Sequence, residues 1–110
     1  MIRRFFDTTA IDAFAASLTR EIVQLFPPGI ETDDTVKPRQ LEKRRTQLQQ
    51  VVAQRSTAFG TASQLNFFQK AKLGVRLGDA LEQAGYAPEF GRLLSNDVVR
   101  SIALSAAQRR

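Results

Sequence analysis

Ile11, Phe14, Ala15, Leu18, Ile22, Leu25 and Phe26 recur every three or four residues, and Pro27-Pro28-Gly29 follows at once. At about 100° per residue these side chains fill one arc of roughly 120°, with Asp12, Thr19, Arg20 and Gln24 outside it. Such a face can only be buried by packing a helix against something else. The prolines end that helix because they lack an N–H and disfavour helical geometry at the residue before them. Thr9-x-x-Asp12 reads as its start, with a threonine cap and an acid in the first turn. No alternating strand pattern of useful length appears anywhere in the chain.

The rest of the chain divides in the same way. Residues 27–36 read as a loop carrying Glu31, Asp33 and Asp34. Pro38 fits the first position of a second helix, where its missing donor costs nothing, and Val36 and Leu41 fit the staple across that cap. The second helix is expected over 38–58. Its apolar stripe (Leu41, Leu48, Val51, Val52 and Phe59) is thin, which places it on the outside of a bundle or against a partner. Gly60-Thr61-Ala62-Ser63 reads as a break, with Ser63 capping a third helix over 64–84 and Gly85 ending it. Pro88-Glu89 opens a fourth helix. Two forms of it compete: one continuous helix to about residue 107, which we favour, and a short helix 88–94 followed by a new one capped by Asn96.

The expected fold is therefore all-α: a single domain, an antiparallel bundle of about four helices with short connections, preceded by an N-terminal arm at 1–7. One domain is what 110 residues usually support.

The composition excludes much chemistry. The chain has no Cys, His or Trp. Disulfides, Cys/His zinc sites, thiol nucleophiles and histidine acid–base catalysis are all ruled out. There is no phosphate-cradling glycine loop, and no cofactor is expected. Asp79 and Glu82 lie three apart on the third helix and could in principle share acid–base work or a cation. Paired acids beside Lys72 and Arg76 are the ordinary make-up of a solvated helix face, so no catalytic or metal-binding residue is expected. No apolar run reaches the length of a membrane span. The N-terminus, with Arg3 and Arg4 between Ile2 and Phe5-Phe6, lacks the apolar core of a secretory signal. A bacterial-type cytoplasmic protein is the default expectation.

What remains is binding. Gly74-x-x-x-Gly78 places two glycines inside a helix, at a propensity cost of roughly 2 kcal/mol relative to alanine. Close approach of another helix would offset it, within the bundle or across a dimer. Phe67 and Phe68 cannot both face inward, so one is a contact residue. Leu48, Val52, Phe68, Gly74, Val75 and Gly78 are therefore the candidate interaction residues, and a protein partner, most simply a second copy, is expected. The alternative is nucleic acid bound by Lys37, Arg39, Lys43, Arg44 and Arg45. The net charge of +5 is spread along the chain and modest for that task. A helix-turn-helix at 81–90 is a weaker match, because Gly91 stands where an apolar core residue is usual.

Overall fold

The computed structural model describes residues 7–108. The arm residues Ile2, Arg3, Arg4, Phe5 and Phe6, and the terminal Arg109 and Arg110, lie outside them. Four helices make up the fold: α1 (Thr9–Leu25), α2 (Pro38–Ala62), α3 (Phe67–Gln83) and α4 (Pro88–Gln108), with a single 3₁₀ turn at Ile30–Thr32.

The ends of these helices follow local chemistry. The cap of α1 is Thr8, one residue ahead of the expected Thr9. The Thr9 N–H donates to Asp7 at 2.9 Å, and this bond holds the Asp7 carboxyl below the usual carboxylate range. Pro38 opens α2 as expected. The expected break at 60–63 is not there: α2 runs on to Ala62, and Ser63 ends it rather than capping α3. The cap of α3 is Asn66. Its side chain accepts from the Gln69 N–H at 2.8 Å, and Gln69 accepts from the Asn66 N–H at 3.1 Å. That reciprocal box satisfies two donors, which a lone serine could not do. At the other end Gly85 has φ +110°, with Gly85 N donating to Glu82 O and Tyr86 N to Leu81 O. This is the double hydrogen bond of a Schellman ending. Helix α4 is continuous through Ser95-Asn96-Asp97, which removes the broken-helix reading and its helix-turn-helix variant.

Successive helices alternate in direction, and the fold is an all-α bundle. Pairing does not simply follow sequence order. The packed pairs are α1·α2, α1·α3, α2·α4 and α3·α4, so α2 and α3 lie across a diagonal. Helices α1 and α2 run antiparallel, tied by stacked Phe14 and Phe59 rings at 4.2 Å and by the Arg55–Glu21 ion pair. Arg55 also lies over the Phe14 ring, so a cation on the thin face of α2 closes a helix pair instead of meeting solvent. Helices α1 and α3 run parallel, with Arg76 3.3 Å from Asp12. Between them sits one core: Ile11, Leu18 and Ile22 from α1, Leu48 and Val52 from α2, Leu73, Leu77 and Leu81 from α3, Val98 and Ile102 from α4.

One end of the bundle is locked by Tyr86. Its hydroxyl donates to the Phe26 carbonyl at 2.6 Å, joining the end of α1 to the α3–α4 turn. Phe90 stacks on Tyr86 at 4.5 Å and on Phe26 at 6.0 Å. Burial pushes the Tyr86 phenol up to about 12. The folded state thus favours the neutral phenol, and its contribution is complete below the unfolded tyrosine pKa of about 10. It is lost as pH rises from there through the folded value. Tyr86→Phe should cost about 1 kcal/mol at neutral pH, because it leaves the Phe26 carbonyl unpaired. Denaturant titrations from pH 9 to 11 should show a shallower loss of stability for this variant than for the wild type. Equal slopes would reject the assignment.

Candidate functional site

An open groove of ≈ 730 Å³ runs along α3 and α4. Glycine makes its floor. A Cβ added at Gly74 would meet only Val99 Cγ2, at 3.6 Å, and one at Gly78 would meet Ser95 Oγ at 3.5 Å. Both are ordinary contacts. The tight approach comes from the other helix: a Cβ at Gly91 would lie 3.3 Å from the Gly78 carbonyl oxygen. The glycine pair of α3 is therefore met inside the bundle at Gly78, while Gly74 stays half-exposed on the groove floor.

Val75, 58 % exposed, and half-buried Val99 provide apolar walls. The rim is charged. Lys70, Asp79 and Glu82 lie on the α3 side, and Arg92 and Arg100 on the α4 side. Arg92 grips Glu89 through two N–H groups, and this contact holds the Glu89 carboxyl below its ordinary range. Arg100 sits 3.6 Å from Asp97. Asp79 and Glu82 have no ion-pair partner among the described residues. Ser95 is only 6 % exposed beside the floor, and its hydroxyl has no hydrogen-bond partner among the described residues.

The candidate interaction residues separate accordingly. Gly74, Val75 and Gly78 share the groove. Leu48 and Val52 do not belong to an outer surface: both are buried in the chain's own core, because α2 fills one corner of the bundle. Phe68 is half-buried with Lys72 Nζ 5.8 Å from its ring centroid, and its neighbour Phe67 is the exposed one, at 87 %. The expectation that Phe68 is the outward residue of the pair is thus reversed.

The basic cluster is partly spent on the fold. Arg44 Nη1 donates to the Leu25 carbonyl at 2.9 Å, placing a cation at the negative end of α1. Arg45 pairs with Glu31 of the acidic loop at 2.5 Å. Lys37, Arg39 and Lys43 remain exposed at the start of α2. No group of three or more acidic side chains that could hold a metal ion occurs among the described residues.

Two features were missed from sequence. One is the groove itself, whose rim residues on α4 gave no periodic signal. The other is Gly60, where a Cβ would come within 3.0 Å of Ile102 Cα and 3.2 Å of its carbonyl oxygen. The signal available was Ser56-x-x-x-Gly60, the same small-residue spacing as Gly74 and Gly78. No family model, curated protein or solved structure matches the chain.

The two kinds of glycine respond oppositely to a methyl group. Gly60→Ala should destabilise by about 1–3 kcal/mol, because the opposing atoms are backbone and cannot swing aside. Gly74→Ala should stabilise by up to about 1 kcal/mol through helix propensity. Thermal unfolding of both variants by circular dichroism checks the pair. A neutral Gly60→Ala would mean that α2 and α4 stand further apart than described.

Proposed function

We propose that this chain is a non-enzymatic helical module that acts by binding protein, with the α3–α4 groove as its contact face. The observation that carries the reading is the make-up of that groove. Apolar walls at Val75 and Val99 flank a glycine floor, and Asp79 and Glu82 have no ion-pair partner among the described residues. A floor without side chains lets a helix backbone approach closely, as in helix-in-groove recognition. The lack of cysteine and histidine leaves carboxylates as the main acid–base groups, and the two in the groove stand at its exposed rim. No described helix is long and apolar enough to cross a membrane. A cysteine-free chain also suits a cytoplasmic setting.

A second reading rests on Lys37, Arg39 and Lys43, which are exposed and could contact phosphate. Arg44 and Arg45 count against it, since both are engaged within the chain. Fluorescence anisotropy of labelled duplex and single-stranded DNA, at about 50 and 200 mM salt, tests it. We expect no saturable binding at the lower salt. Binding that weakens steeply with salt, and is lost on replacing Lys37, Arg39 and Lys43 with alanine, would move the function to nucleic acid. A photo-crosslinking residue at position 75 is expected to give a protein adduct in expressing cells, and one at exposed Arg39 is not.

A further inference from the structure

We infer that the occupant of the α3–α4 groove is a second copy of the same chain, turned about a two-fold axis that runs along the groove. This rests on the protein-binding reading above and adds the identity and orientation of the partner. The groove is not uniformly charged along its length: at the end level with Gly78, Asp79 and Glu82 stand on the α3 rim and Arg92 on the α4 rim, while the end level with Gly74 and Val99 carries Lys70 and Arg100. A two-fold along the groove sets the α3 rim of each copy on the α4 rim of the other. At the Gly78 end, acid then meets base on both sides of the seam.

Height along the helices fits as well. Gly91 lies against Gly78, so Arg92 stands level with the stretch of α3 that carries Asp79 and Glu82. A rotation about the groove axis keeps that level, and each copy brings its Arg92 to the other's two acids. The pairs Arg92 makes with Glu89 and Arg100 with Asp97 are exposed and three residues apart. Such pairs hold little energy and can be exchanged for a partner's carboxylate. In the same arrangement Val75 of one copy faces Val99 of the other. An isologous contact of this kind closes at two copies. The second copy also covers Ser95, whose buried hydroxyl is beside the glycine floor.

Charge reversal with rescue tests this. Sedimentation equilibrium of the full chain would follow the wild type, Glu82→Arg, Arg92→Glu and the double variant, from about 1 to 100 µM. All sites are exposed, and far-UV circular dichroism checks that each variant folds. The wild type should dimerise. Each single variant should weaken the dimer by about tenfold or more, since like charges then face each other. The double variant should recover most of the loss, which a merely structural role for either residue would not produce. A wild type that is monomeric throughout, or a dimer indifferent to reversal, or one not rescued in the double variant, overturns the second copy as occupant. If that happens while the position-75 adduct to another protein persists, the protein-binding reading stands with a different partner. Loss of both would remove the two together.

Discussion

Backbones of two helices can come close only where a side chain is missing, and Gly60 provides that gap for α2 and α4. With Ile102 Cα 3.0 Å from where its Cβ would be, these helices pack at a distance that an alanine would crowd. The contact lies between α2 and α4, which run parallel; α3 stands across the core from α2 and forms with α4 the antiparallel pair that carries the groove. Gly91 against Gly78 repeats the device on that second pair. Small residues therefore do in this bundle what large aromatic side chains do in others.

The remaining interactions hold the ends. Tyr86 ties the close of α1 to the α3–α4 turn, and Arg44 places its charge on the last carbonyls of α1. Arg55 spans the α1–α2 seam with Glu21, Ser17 and the Phe14 ring. Two of the five cations that look like a binding patch in one dimension, Arg44 and Arg45, have partners within the fold. This shifts attention from the basic start of α2 to the groove, whose Asp79 and Glu82 have no ion-pair partner among the described residues.

Much of the fold was legible in one dimension. The face of α1, the stop at Pro27-Pro28-Gly29, the proline start of α2 and the Gly85 ending are local effects, set by backbone chemistry within a few residues. The misread boundary lies at Gly60, where a local rule took glycine as a helix breaker. Burial against α4 outweighed that propensity cost, which is only about 1 kcal/mol. The start of α3 was misplaced for a related reason: Ser63 is a good cap alone, but Asn66 and Gln69 satisfy each other. The candidate contact residues divided along the same line. Gly74, Val75 and Gly78 share one face of one helix, a property of spacing. Leu48 and Val52 depended on what lay opposite them.

By itself the sequence determined that the chain is helical, roughly where its helices lie, and which chemistries it lacks, because periodicity, capping and residue inventory need no knowledge of neighbours. Tertiary structure alone decided which glycines are crowded and which are open, which arginines are engaged, and that Asp79 and Glu82 share one groove with Arg92. Those properties belong to pairs of residues far apart in the chain. Their values are set by the distance between helices, which no single segment encodes.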